Sequence, residues 1–226
     1  MKNFKIVWSS STECGPSRDK NEDSIFPSLS GSDYPPFRAA VCDGLGGHTS
    51  GDIASKIAVD SLLKNFTDLN SLINSANDEI IEYQNQNPKT TGMGTTMTAI
   101  TIDSDALMKI GHVGDSRCYV LSDRNLIKIT EDDNVPGYQN VLKQALGSNE
   151  KLKIHEVDFQ LRIGDVILLC SDGLYNEISD EYIKKKMQDG ISAESLVSEV
   201  LLLNPKDNVS ALSLIHISEP TRLQQI

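Results

Sequence analysis

Short apolar stretches separated by turn residues run through most of the chain. Residues 4–9, 38–42, 97–102, 107–113, 117–121, 126–130, 156–161 and 166–170 are rich in Val, Ile, Leu and Tyr, and most are bounded by turn formers, as strands are. Residues 97–102 and 126–130 alternate apolar with polar, which predicts half-buried strands. The run VILLC at 166–170 has no polar position and predicts a strand covered on both faces. Ser104-Asp105 and Ser122-Asp123 fall where hairpin connections are needed, so 97–130 is expected to be an antiparallel meander. Helical spacing replaces the strand period in 51–66 (Ile53, Ala54, Ile57, Ala58, Leu62, Leu63) and again in 71–86 (Leu72, Ile73, Ala76, Ile80, Ile81, Tyr83). Two more helices are expected over 180–187 and 192–203, with Ser179 and Ser192 as N-caps. Strands outnumber helices, and the helices come in two pairs. The expected class is α+β, with antiparallel sheets covered by helices.

Composition narrows what such a fold can do. The 226 residues suit one domain, long enough to bury a core without disulfides or a structural metal. Acidic residues number 32 against 21 basic, a net charge of −11. That field repels phosphates, so nucleic acid and anionic membranes are not expected partners. A phosphorylated substrate would require the site to be neutralised first, and divalent cations are the direct way. Cys14, Cys42, Cys118 and Cys170 form no C-x-x-C pair, and three of them lie in apolar runs. They read as buried free thiols in a reducing compartment. The apolar run at 4–8 is broken by Lys5 and too short for a secretion signal, and no run reaches membrane-spanning length. A cytoplasmic location is expected.

The candidate chemistry lies in carboxylates near the ends of the apolar runs. Asp43 follows AAVC, Asp115 follows IGHVG, Asp172 follows VILLCS, Asp207 precedes the last apolar run, and Asp23 closes Asn21-Glu22-Asp23. Any single Asp-Gly pair is more simply a turn, because Asp caps the backbone and Gly takes positive φ. As a converging set, carboxylates repel one another unless cations lie between them, and all-oxygen sites select hard ions such as Mg²⁺ or Mn²⁺.

The ordered segments SRDKNEDS (17–24), VCDGLGGHTSGDIAS (41–55), GMGTTMTAI (92–100), GHVGDSRCYVL (111–121), GDVILLCSDGL (164–174) and DNVSAL (207–212) together resemble the metal-dependent Ser/Thr protein phosphatase family, also called PPM or type 2C, in its bacterial style. The resemblance spans about residues 4–211. It implies a sandwich of two antiparallel β-sheets flanked by helix pairs, a four-layer αββα arrangement. It also implies two Mn²⁺ or Mg²⁺ ions, with a third, weaker one in bacterial members. The activity implied is hydrolysis of phosphoserine and phosphothreonine by in-line attack of a metal-bridging hydroxide. Residue by residue, Asp43 resembles the carboxylate that bridges both metals, and Gly44 would offer its carbonyl to the second. Asp172 and Asp207 resemble the other direct ligands of the first metal. Asp115, with Asp172, resembles the holder of the third ion. Glu22 and Asp23 resemble the acidic pair that supports metal-bound water, and Arg18 the arginine that receives the substrate phosphate. Gly92, Gly94, Thr95 and Thr96 read as a structural strand entry, and Arg117 as a structural ion-pair partner near Asp115. The implied partner is a phosphoprotein opposing a Ser/Thr kinase, met by a monomer.

Three departures from the family pattern stand out. Leu45 occupies the place where eukaryotic relatives have His as general acid; His48 is the nearest other candidate, metal-bound water is a rival, and the role is unassigned. The usual Thr-x-Asp-His-Ser reads Thr130-Glu131-Asp132-Asp133-Asn134, and only VPGYQNVLKQAL separates it from Gly147, so the flap beside the site is shortened. Both departures admit an alternative, a pseudophosphatase that binds phosphoproteins without turnover. Finally, LSLIHISEPTR (212–222) resembles the translation of a transposase adaptor used in sequencing libraries. The native catalytic domain is expected to be 1–211, with 212–226 a non-native tail in which His216, Glu219 and Arg222 have no role.

Overall fold

The strand Phe37–Cys42 has two apolar faces. Ala39 and Val41 look into one core, Ala40 and Cys42 into another, and all four are fully buried. The strand Val166–Cys170 does the same, with Ile167 and Leu169 on one side and Leu168 and Cys170 on the other. A strand buried on both faces must lie in a sheet that is itself covered on both sides.

The computed structural model describes residues 4–45 and 50–218. Gly46, Gly47 and His48 of the glycine-rich turn, and the end of the expected tail from Glu219 onward, lie outside the described residues. The strands are β1 (Phe4–Glu13), β2 (Ser24–Phe26), β3 (Gly31–Asp33), β4 (Phe37–Cys42), β5 (Gly44–Leu45), β6 (Gly94–Thr95), β7 (Met97–Ile102), β8 (Leu107–Val113), β9 (Arg117–Ser122), β10 (Asn125–Lys128), β11 (Asn134–Val135), β12 (Tyr138–Leu142), β13 (His155–Gln160), β14 (Val166–Cys170) and β15 (Val209–Ser218). The helices are α1 (Gly51–Asp60), α2 (Leu69–Gln86), α3 (Asp172–Tyr175), α4 (Asp180–Gln188) and α5 (Ala193–Leu201). The first sheet runs β10-β9-β14-β15-β1-β3 and the second β13-β8-β7-β4-β2, both antiparallel.

One core fills the space between the sheets, with Ile6, Val41, Ile100, Ile110, Val120 and Leu169 among its members. A second lies under α1 and α2, and a third under α4 and α5. The result is the αββα order expected from the resemblance. Capping fixes the helix starts. Asp68 and Ser71 form a capping box on α2, while Ser179 and Ser192 cap α4 and α5 as the sequence predicts. The helix expected over 51–66 is shorter: α1 stops at Asp60, and one 3₁₀ turn, Ser61–Leu63, follows.

The expected meander is corrected. β7–β8 and β9–β10 are hairpins, but they belong to different sheets, and β8 does not pair with β9. Residues 114–116 cross between the sheets. Gly114 makes this turn possible: its φ is +104°, and a Cβ there would stand 2.6 Å from the Thr96 side chain. Residues 212–218, part of the expected foreign tail, form most of β15. Their alternation suits the strand, since Leu212 and Leu214 are fully buried between the sheets.

Candidate active site

Antiparallel register brings the motif segments to one end of the sandwich. In the second sheet Ser24 pairs with Cys42, Val41 with Thr98, and Met97 with Val113. Asp23, Asp43 and Asp115 therefore leave β2, β4 and β8 at a common edge. In the first sheet Glu13 pairs with Val209, and Cys170 pairs with both Ala211 and Arg117. Arg18, Asp172 and Asp207 follow at the facing edge.

Each of these residues is held by hydrogen bonds to its surroundings. The Asp43 amide donates to Thr96 Oγ1 at 2.9 Å, and its carbonyl accepts from Thr95 Oγ1 at 2.9 Å and from the Thr96 amide at 2.8 Å. Thr96 and Ser116 share a 2.7 Å hydroxyl contact, which ties Asp43 to the crossing loop. Thr95 and Thr96, read from sequence as structural, hold the proposed bridging ligand. At Gly44 a Cβ would come within 2.4 Å of the Glu22 and Gly51 carbonyl oxygens, so only glycine lets these three backbones meet. Glu22 accepts from the Gly51 amide at 3.1 Å, and Ser210 donates to Asp23 at 2.5 Å. Asn134 donates to Asp115 at 3.0 Å, and Asn176 to Asp172 at 3.1 Å. Arg18 reaches across to Asp207 at 2.5 Å.

The electrostatics are those of too many anions in one place. Burial raises the Asp43 carboxyl well above its ordinary value, and Asp23, Asp172, Asp207 and Asp115 push it further. Burial first, then Asp207, Asp115 and Asp23, lifts Asp172 to about 7. Asp23 rises to about 6, chiefly through burial. Asp115 is also raised, again chiefly by burial. Asp23, Asp115, Asp172 and Asp207 all stand near enough to Asp43 to act on its charge.

Whether cations suit this group can be judged from its donors. They are carboxylates and carbonyls, an all-oxygen set that suits hard divalent ions. Asp172 Oδ1 is buried with no hydrogen-bond partner, so one coordinating lone pair is left unused. Among the described residues, no three acidic, His or Cys side chains stand close enough to enclose a cation as they are. Asp207 is instead turned to Arg18. The chemistry of the set fits, and the unpartnered Asp172 Oδ1 is the oxygen left for a cation.

Sequence reasoning missed several supports. Arg117 forks onto Asp132, with its nearest contact 2.7 Å from Nη2, rather than pairing with Asp115. Its guanidinium lies 3.5 Å over the ring of Tyr175, whose hydroxyl donates to the Asp115 carbonyl at 3.0 Å. Tyr175 thus joins the helix that carries Asp172 to the loop that carries Asp115. Asp133 accepts from the Gly114 amide at 2.9 Å, Gln144 at 2.7 Å and His155 at 2.9 Å. Only the Thr-x-Asp segment pointed there, and it named no partners.

Comparison with known proteins agrees with this fold. The chain is 32% identical over 225 residues to the serine/threonine protein phosphatase PstP of Mycobacterium tuberculosis, covering 86% of this chain and 42% of that one. It is 29% identical to the serine/threonine phosphatase stp of Listeria monocytogenes, covering 89% of this chain and 92% of that one. The solved catalytic domain of PstP in complex with two manganese ions superposes with a TM-score of 0.81 at 30% identity, covering 95% of this chain and all of that one. The chain spans less than half of the mycobacterial relative. A family model, Protein phosphatase 2C, matches residues 16–201. The chain belongs to the protein phosphatase 2C family.

Proposed function

We propose that the chain hydrolyses phosphoserine and phosphothreonine in protein substrates, using divalent cations held at the acidic rim. One observation carries the reading: Asp23, Asp43, Asp115 and Asp172 converge, with Asp207 beside them, where burial and neighbouring carboxylates oppose the ionisation of those four. Such crowding is costly unless positive charge is bound. Asp43, Asp172, Asp207 and the Gly44 carbonyl would hold two Mn²⁺ or Mg²⁺ ions, and Asp115 with Asp172 a third. Such ions supply a nucleophilic water at neutral pH and polarise the phosphoryl oxygens.

The residues of the chain have separate tasks. Arg18 is partly exposed, with 42% of its side chain accessible, and is charged at every working pH. It must exchange Asp207 for the phosphate, to which its guanidinium fork is matched. Asp23 and Glu22 orient water through oxygens fixed by Ser210 and Gly51. Thr95 and Thr96 keep Asp43 in register with the crossing loop. The manganese-bound PstP domain supports the choice of cation. Buried unpaired thiols at Cys42, Cys118 and Cys170 support a reducing, cytoplasmic setting. On this proposal the chain is a monomer that opposes a Ser/Thr kinase. Among the described residues no helix is long and apolar enough to cross a membrane. We also propose that residues 212–226 replace the natural end of β15. Long-read sequencing of the source locus tests this, and finding the same codons there would refute it.

The deciding experiment measures Mn²⁺-dependent hydrolysis of p-nitrophenyl phosphate and a phosphothreonine peptide, beside the Asp43→Asn variant. Turnover that vanishes in the variant is expected. Absence of turnover in the parent at millimolar Mn²⁺ would overturn the reading in favour of a phosphoprotein-binding module.

A further inference from the structure

The rim of the second sheet continues past the carboxylates to its edge strand. His155, the first residue of β13, pairs with His112 near the end of β8, so β13 begins at the same end of the sandwich as Asp43 and Asp115. A cleft of 340 Å³ opens there, with Asp133, His155, Gln144 and three lysines, Lys143, Lys151 and Lys153, in its lining. Its inner wall is shared with the site, because Asp133 accepts from Gly114 and the neighbouring Asn134 donates to Asp115.

Charge in this cleft is unevenly satisfied. Asp132 is already paired with Arg117 and Lys128, and Asp133 is held by His155, Gln144 and Gly114. The ion pairs made by lysines among the described residues involve Lys20, Lys56, Lys64, Lys128 and Lys186, and none of the three in the cleft. Glu131 and Glu150 are the remaining carboxylates, both exposed. Three uncommitted ammonium groups therefore face two uncommitted carboxylates, in a chain whose net charge is −11. The lining is close to neutral overall, with four carboxylates beside the three lysines, but those lysines stand outside the ion pairs in a molecule that is acidic as a whole.

Resting on the phosphatase reading, we infer that this cleft binds an anionic side chain of the protein substrate, a carboxylate or a second phosphoryl group, displaced along the chain from the phosphoresidue being hydrolysed. The sheet supplies the ruler. β4, β7, β8 and β13 are successive neighbours, and strands lie about 4.8 Å apart, so β13 stands about 14 Å from the strand that ends at Asp43. An extended substrate advances about 3.3 Å per residue and covers that span in about four residues. The shortened flap leaves the path between the two sites to the single hairpin β11–β12.

The test uses phosphothreonine peptides with Glu or Gln four and five residues from the phosphothreonine, on either side. Binding is read by fluorescence anisotropy in the Asp43→Asn background, so that no peptide is consumed, and kcat/KM is read in the parent. The Glu peptide is expected to bind roughly three- to tenfold tighter than the Gln peptide, the scale of a few exposed charge contacts, and the gap should shrink at high salt. In K143A/K151A/K153A the gap closes, while hydrolysis of p-nitrophenyl phosphate is unchanged. In K143E/K151E/K153E the preference inverts toward Arg in place of Glu. Phosphoserine in place of Glu separates the two anions, tighter binding assigning the cleft to a second phosphoryl group and equal or weaker binding to a carboxylate. Equal affinity for Glu and Gln peptides, or a gap that survives the triple substitution, overturns the inference. A parent inert toward p-nitrophenyl phosphate overturns the phosphatase reading alone, since the anisotropy comparison still decides the cleft.

Discussion

Val41 and Asp43 are two residues apart, yet they sit in opposite worlds. Val41 is fully buried in the core between the sheets and has only apolar neighbours to satisfy. Asp43, at the rim of that core, is desolvated among four other carboxylates that disfavour its charge. The same contrast recurs from Leu169 to Asp172. The middle of the sandwich supplies stability, and the rim gives some of it up to hold a site that prefers bound cations. Changes at the two places should therefore move stability and activity in different directions.

The sharpest separation comes from Asp43→Asn. Turnover should fall by about a thousandfold or more, because a charged ligand position is lost. The cation-free protein should nevertheless melt higher, by a few degrees for about 1 kcal/mol in a chain of this size, since one member of a repelling cluster is gone. Calorimetry in EDTA beside a phosphatase assay reads both; a lower Tm would break the contrast. Leu169→Ala should do the reverse, costing about 2–5 kcal/mol of stability as a core cavity, while the folded fraction keeps its kcat. Denaturant unfolding and active-site-normalised rates check it.

Acidity offers a third handle. Unfolded, Asp23 and Asp172 release their protons near 3.8; folded, they hold them to about 6 and about 7. Their protonated folded form is favoured, so stability without cations is greatest at low pH and falls as pH rises from about 4 to about 7. Mn²⁺ should flatten or reverse that slope, because it binds the ionised carboxylates of the folded state only. Melting curves across this range, with Mn²⁺ and with EDTA, give the comparison; a cation-free Tm that climbs toward pH 7 would contradict it. The smallest effect is expected from Tyr175→Phe. Losing the hydroxyl contact to Asp115 costs about 1 kcal/mol and should raise the Mn²⁺ concentration for half-activity severalfold, with kcat at saturation almost unchanged. Tyr175→Ala, which also removes the surface under Arg117, should cost more.

How far the chain could be read without coordinates follows the same divide. Residues 97–102, 107–113 and 166–170 are bounded correctly because turn residues mark their ends, although 97–102, expected to be half-buried, is covered on both faces. The carboxylates were legible as an ordered set. Sheet membership was not: a period of two says that a strand has a buried face, but not which sheet supplies it, so 97–130 looked like one meander. Between β8 and β9 the turn at Gly114, whose φ is +104°, starts the crossing from one sheet to the other, and an isolated glycine carries many meanings. Tyr175, Asp133 and His155 were missed because their roles depend on contacts between distant segments. Asp133 and His155 are 22 positions apart, and no local pattern links them. The hairpin β11–β12 was invisible for a related reason, since VPGYQNVL offers too little apolar alternation to declare two strands.

β15 has a consequence for how the molecule comes into being. It lies between β14 and β1, in the interior of the first sheet, yet it is the last described strand to be synthesised. At 5–20 residues per second, β1 leaves the ribosome roughly 10–40 s before the partner it pairs with along its whole length. Through that interval the growing chain carries an open strand edge on β1, joined by a second on β14 once Cys170 has been made, and either can recruit a strand from a neighbour. Closure across such a sequence separation is also slow by topology. A fragment that stops before Val209 is therefore expected to be a strand-exchange hazard rather than a smaller folded domain.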